Sequence, residues 1–98
     1  MAAQKEAINL YEALLLLENI DECQRFFIDL CTPQEREALQ QRWRVCQLLD
    51  EGKLSYREIH QETGASLVTI SRVARFLKDE QHEGYKLILE RSKLKGSQ

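Results

Sequence analysis

Val68, Ser71, Arg72 and Arg75 stand one, three or four residues apart, a spacing that puts all four on one side of a helix. Together they offer an apolar contact for a thymine methyl, a small hydroxyl, and two guanidinium groups able to pair with guanine or phosphate. On roughly the opposite side of the same helix, Ile70, Val73 and Leu77 form a strip that packs inward. A helix divided in this way has the chemistry to lie in a DNA major groove with its N-terminal residues at base edges. The amide-rich helix N-terminus near Ser66 also favours phosphate.

Such a helix needs a frame that holds it at a fixed angle. Ser55-Tyr56-Arg57-Glu58 is a capping box, Ser followed by Glu three residues later, and opens a short helix to about Thr63 anchored by Ile59. Gly64 supplies the turn, because the tight break needs a left-handed backbone that side chains resist. Ser66 then caps the second helix, which runs to about Lys78. Residues 55–78 therefore read as a helix-turn-helix, with Arg57 positioned for phosphate. His60 departs from the usual small residue where the two helices cross. It is either tucked beside the turn or directed toward DNA. A helix–glycine–helix with basic exposed residues also occurs as plain scaffold.

Charge is distributed to match. From Lys53 to Lys78 the bases Lys53, Arg57, Arg72, Arg75 and Lys78 face two acids, Glu58 and Glu62, a local balance of +3 in a chain whose total is −2. Residues 1–31 carry Lys5 and Arg25 against Glu6, Glu12, Glu18, Asp21, Glu22 and Asp29, a balance of −4. A basic reading unit joined to an acidic, apolar assembly unit fits DNA binding better than an evenly solvated surface.

The remaining elements are all helical. A helix from about Ala3 to Glu18 has Ile8, Leu10, Tyr11, Leu14, Leu15 and Leu17 spread over more than one face, so a partner subunit is expected to cover part of it. Cys23, Phe26, Phe27 and Leu30 mark a second short helix by their i, i+3, i+4, i+7 spacing. Thr32-Pro33-Gln34-Glu35 starts a third, with Thr32 as cap and Pro33 at the first helical position. It runs to about Glu51, with Leu39, Trp43, Cys46 and Leu49 as its expected buried stripe, and Gly52 ends it. A last helix, about Gln81 to Ser92, sets Tyr85, Ile88 or Leu89, and Ser92 along one side, and Lys93 to Gln98 reads as a frayed tail. The fold class is all-α, six helices in a single domain over residues 1–98.

At 98 residues and 11.5 kDa, with 43% hydrophobic and 31% charged residues but 1 Pro and 4 Gly, the chain reads as folded and soluble. Its length excludes large two-lobed enzymes. Its longest apolar run, Ala13 to Leu17, is far short of the roughly 20 residues a membrane span requires. No secretory signal is visible at Met1-Ala2-Ala3-Gln4-Lys5-Glu6, and the expected location is the cytoplasm. Cys23, Cys31 and Cys46 form no C-x-x-C and have no His at ligand spacing, so they read as small hydrophobes in a reducing compartment, with a redox or adventitious thiol as the alternative. Catalysis lacks its parts. His60 and His82 lie on different helices, Glu35 and Glu37 do not face each other, and no nucleophile motif, metal cluster or phosphate loop is present. No enzyme, metal or cofactor is expected.

Between Leu30 and Lys78 the order of residues adds a family signal. Leu30 to Leu39 (LCTPQEREAL), Glu51 to Ile59 (EGKLSYREI), Glu62 to Ser66 (ETGAS) and Thr69-Ile70-Ser71-Arg72 closely resemble the bacterial tryptophan repressor family. Glu22 to Cys31 (ECQRFFIDLC), with Thr63 to Ser66 and Ile70 to Val73, look more like its YerC/YecD branch. The resemblance implies six helices per subunit in an intertwined homodimer, residues 1–52 and 81–92 building the dimer. Two helix-turn-helix units would then face successive major grooves about 34 Å apart on a near-palindromic operator in double-stranded DNA. By position it implies Arg57, His60, Leu67, Val68 and Ser71 as the DNA-facing set, beside Ser66, Arg72 and Arg75 from the residues themselves.

The resemblance also matches Arg42 and Arg72 to the two arginines that grip tryptophan in the family's type member. That pocket needs a glycine directly after the second arginine and a serine four residues after it, where this chain has Val73 and Phe76. Two bulky side chains there are expected to fill the site and leave the protein unresponsive to tryptophan, Arg42 then being a phosphate or surface arginine. Two rival readings stay open: a helical dimer that works on another protein, and a DNA-binding regulator with a different small-molecule effector.

Overall fold

A computed structural model describes residues 7–79 and 81–96. The described residues form six α-helices and no strand: α1 (Leu10–Leu14), α2 (Ile20–Leu30), α3 (Pro33–Glu51), α4 (Tyr56–Thr63), α5 (Leu67–Lys78) and α6 (Gly84–Gly96). The chain divides into two compact units, Met1–Arg36 and Glu37–Gln98.

In the first unit two asparagines decide where helices begin. Asn9 accepts from the Glu12 amide at 2.8 Å while the Glu12 carboxylate accepts from the Asn9 amide at 2.8 Å, a complete capping box. Helix α1 therefore starts at Leu10. The expected single helix from Ala3 to Glu18 is corrected: α1 ends at Leu14. The chain tightens into i→i+3 turns, in which the Leu16 amide donates to the Ala13 carbonyl at 3.0 Å and that of Leu17 to the Leu14 carbonyl at 3.2 Å. Asn19 then caps α2 by accepting from the Glu22 amide at 2.9 Å. The start of that expected helix, Ala3 to Glu6, lies outside the described residues. Neither α1 nor α2 buries a residue. Of the expected α2 stripe, Phe26 and Phe27 are half-buried, whereas Cys23 and Leu30 are exposed. Thr32 and Glu35 make the expected reciprocal cap of α3, at 3.1 and 2.8 Å.

The core lies in the second unit. Val45, Cys46 and Leu48 of α3, Ile59 of α4, Ala65 of the turn, Ile70, Val73 and Leu77 of α5, and Leu89 of α6 form one buried cluster. Each large aliphatic side chain so placed contributes about 1.5–3 kcal/mol by leaving water. Of the expected α3 stripe, Cys46 lies in the core and the half-buried Trp43 and Leu49 pack against it, whereas Leu39 is corrected: it is 43% exposed, and Val45 and Leu48 are buried instead. Apolar spacing names a stripe, but α4, α5 and α6 choose which stripe of α3 is covered.

Helix α6 begins three residues later than expected and ends four later. Glu83 has a left-handed backbone (φ 57°) and its carbonyl accepts from the Leu87 amide at 3.0 Å, so the helix starts at Gly84. It continues past Ser92 through Lys93, Leu94 and Lys95, which are not helix breakers. Lys93 also meets the Asp50 carboxylate at 2.9 Å. The expected tail is thus helical as far as Gly96, and residues 97–98 lie outside the described residues. Leu89, not Ile88, is the residue α6 buries.

Candidate nucleic-acid interface

Local caps set the frame of the helix-turn-helix. Ser55 accepts from the Glu58 amide at 3.1 Å and Glu58 accepts from the Ser55 amide at 2.8 Å. Ile59, fully buried, anchors α4 from its inward side. Gly64 closes the helix with φ 77°, and its amide donates to the His60 carbonyl at 2.8 Å. That conformation is cheap only for glycine.

The turn is stitched by side chains as well. The Thr63 hydroxyl donates to the Ile59 carbonyl at 2.7 Å and accepts from the Ala65 amide at 3.0 Å. His60 Nδ1 lies 2.7 Å from the Ala65 carbonyl oxygen, which can only accept, so Nδ1 carries the proton in this contact. The ring is thus tucked against the turn, and the residue stays exposed. Ala65 is fully buried between the helices.

Ser66 caps α5 by accepting from the Thr69 amide at 3.1 Å, and its hydroxyl also donates to Thr69 Oγ1 at 3.1 Å. From there α5 divides cleanly. Ile70, Val73, Ala74 and Leu77 are buried, while Leu67, Val68, Ser71, Arg72 and Arg75 are exposed, Val68 at 80%. Arg57 and His60 on α4 are exposed too. The last turn of α5 carries Arg75 and Lys78, which complement its dipole. A valine this exposed gains nothing from the fold.

A cleft of about 320 Å³ opens beside α5, lined by Arg42, Arg72, Val73, Phe76, His82, Glu83, Gly84 and Tyr85. The two arginines paired in the sequence reading thus share one wall system, with Val73 and Phe76 on it. The Arg72 guanidinium lies over the Phe76 ring, 4.5 Å from its centroid, and that of Arg75 lies 5.0 Å from the same centroid. Burial pushes the pKa of the Tyr85 hydroxyl up and the nearby Cys46 thiol adds to the rise, while Arg42 and Arg72 pull it down.

The sequence reading did not find His82, Glu83, Gly84 and Tyr85 as cleft residues, because their approach to Arg42 and Phe76 is a long-range event with no local signature. It also missed Gln41, whose Nε2 donates to the Thr63 carbonyl at 3.2 Å. Among the described residues no group of three His, Cys, Asp or Glu is placed to hold a metal ion, and no helix is long and apolar enough to cross a membrane.

Comparison with known proteins adds an independent line. A family model described as Trp repressor protein matches residues 5–93. The chain is similar to protein YerC of Bacillus subtilis, 45% identical over 89 residues that cover 91% of this chain and 84% of that one. Over 49 residues it is 47% identical to a Trp operon repressor homolog of Aliivibrio salmonicida, covering 50% of this chain and 45% of that one. Among solved structures, a candidate Trp repressor from Staphylococcus aureus superposes with a TM-score of 0.80 at 44% identity, covering 86% of this chain and 82% of that one. A TrpR-like protein from Eubacterium eligens gives a TM-score of 0.80 at 42% identity, covering 86% and 84%.

Proposed function

The chain belongs to the Trp repressor protein family, and from that premise we propose that it is a homodimeric transcriptional regulator that reads a near-palindromic DNA operator and does not respond to tryptophan. The family is one of regulators rather than enzymes, and its DNA-binding character agrees with the all-α fold. The observation that carries the reading is the outward face of α5, where Leu67, Val68, Ser71, Arg72 and Arg75 are exposed beside a turn locked by caps. In this reading Val68 meets a thymine methyl, and Ser71 and Arg72 reach base edges. Arg75, Arg57 and the α5 N-terminus at Ser66 hold phosphates, and Leu67 and His60 border the groove.

The homodimer is supported by the apolar surface that α1 and α2 leave open. Tyr11 is 76% exposed, Leu15 86%, Leu16 69% and Ile20 77%, which is an expensive surface to keep in water. A second copy of the chain is the proposed cover. The working compartment is the bacterial cytoplasm, where the operator is.

Val73 and Phe76 stand on the wall of the cleft and leave about 320 Å³ open, so they do not fill the site as expected. Insensitivity to tryptophan is supported by their bulk at the two positions where the tryptophan pocket needs a glycine and a serine, and by the Phe76 ring that stacks on Arg72. The open cleft favours one second reading, a regulator whose effector is a small anion held by Arg42, Arg72 and His82. The deciding experiment selects bound sequences from a random duplex pool, with and without L-tryptophan, at fixed salt. A near-palindrome enriched equally in both arms supports the reading. Enrichment only with tryptophan overturns the insensitivity, and no enrichment in either arm shifts the weight to an unknown effector or to a protein partner.

A further inference from the structure

We propose that His60 is a specificity-determining residue, whose Nε2 accepts a hydrogen bond from an exocyclic amino group in the major groove, N6 of adenine or N4 of cytosine. The inference rests on the proposed DNA function and deepens it, because it assigns one determinant of the operator sequence to α4 in addition to α5. Two observations place the ring. Its Nδ1 lies 2.7 Å from the Ala65 carbonyl oxygen in a half-buried contact, whereas the residue as a whole is exposed. Among the described residues Nε2 has no hydrogen-bond partner. Ala65 directly precedes Ser66, the cap of α5, so the ring is held beside the helix end that presents Leu67, Val68 and Ser71.

The bond to Ala65 decides what Nε2 can do. A carbonyl only accepts, so Nδ1 donates; in a neutral imidazole the other nitrogen is then the acceptor. In the major groove adenine and cytosine offer an amino donor, whereas guanine and thymine offer acceptors and a methyl group. A fixed acceptor therefore pairs with adenine or cytosine and is left unpaired against guanine or thymine. An unanchored imidazole could exchange its two nitrogens and lose that bias. The same bond holds the ring in one orientation before DNA arrives, which reduces the ordering that binding costs.

The test uses the full-length protein at about pH 8, where an ordinary imidazole is neutral. Wild type and His60→Ala each select from a random duplex pool, with far-UV circular dichroism as the folding control. Wild type should enrich adenine or cytosine at one position of each half-site, and His60→Ala should lose the preference at that position alone. A purely structural role, through the lost bond to the turn, would weaken all sequences alike. Duplexes without the amino group then separate the two bases, with purine in place of adenine or 2-pyrimidinone in place of cytosine. The amine-free duplex should bind wild type about tenfold more weakly than the intact one, and His60→Ala should hold the two within about twofold. Nitrogen NMR of the free wild type should show Nδ1 protonated and Nε2 bare, a readout that needs no variant to fold. The inference is overturned by the opposite tautomer, by an unchanged base profile in His60→Ala, by guanine or thymine at the position that His60→Ala relaxes, or by wild type that tolerates loss of the amino group. Wild type that binds no duplex overturns the DNA reading and this inference together, whereas wild type with an operator that His60→Ala reads identically overturns the inference alone.

Discussion

Gln41 donates from Nε2 to the carbonyl oxygen of Thr63 at 3.2 Å, across 22 residues of sequence. That bond ties the middle of α3 to the last residue before the glycine turn, so the angle between α4 and α5 is referred to a long helix and not left to the turn alone. Gln41 Nε2 also lies 3.6 Å from where a Cβ on Gly64 would sit, an ordinary contact that leaves room for a methyl group. Space is therefore not what selects glycine; the backbone angle is.

Gly64→Ala is expected to cost about 1–2 kcal/mol, because an L-residue at φ 77° carries left-handed strain even with space around it. Gln41→Ala should cost about 1 kcal/mol, the usual worth of one hydrogen bond. Urea unfolding checks both. The midpoint should fall with an unchanged slope, and a Gly64→Ala midpoint equal to wild type would remove the argument from φ.

Val68→Glu should abolish sequence-specific duplex binding without loss of helix content, since Val68 is 80% exposed and takes no part in the core. Arg75→Ala should weaken every duplex alike and lower the salt slope by about one if the guanidinium meets a phosphate. Electrophoretic mobility shifts at several salt concentrations, set beside circular dichroism, report both. Unchanged binding in both variants would mean that α5 is not the working surface.

Titration calorimetry with L-tryptophan should give no micromolar 1:1 binding per subunit. The Arg72 guanidinium is stacked 4.5 Å above the Phe76 ring, so one of its faces is already taken by a ring of the chain itself. A tight 1:1 isotherm would refute the proposed insensitivity.

Light scattering should give a mass of twice the 11.5 kDa chain. Leu15→Asp with Leu16→Asp should lower it toward a monomer, because charge on those exposed leucines would have to be desolvated in the dimer. A mass unaffected by both changes would place the interface elsewhere or deny it.

Cys46 should resist iodoacetamide in the native protein at about pH 8 and react once the chain is unfolded. Its thiol is fully buried, and burial, with a smaller contribution from the Asp50 carboxylate, raises its pKa from 9.0 to about 11. Because the folded value is the higher one, the unfolded chain loses this proton first. Stability contributed by the neutral thiol is complete below pH 9 and declines as pH rises toward about 11. Alkylation followed by mass spectrometry, and unfolding midpoints measured on both sides of that window, test the two statements.

Six helices, and both ends of α3, α4 and α5, could be read from the chain, since these depend on near neighbours. Ser55 with Glu58, Thr32 with Glu35, Ser66, Gly52 and Gly64 act within a few residues, and each does in the structure what its spacing predicts. The division of α5 into a buried and an exposed side was legible for the same reason, a period of 3.6 residues on an element anchored at both ends. Asn9 and Asn19 carried the same kind of local signal against one long first helix, but the leucine run between them masked it. Tertiary packing alone settled that α3 buries Val45 and Leu48 in place of Leu39, and that Tyr85 and His82 share a cleft with Arg42. Those outcomes depend on which faces meet across long stretches of chain, and periodicity within one helix holds no information about its neighbour.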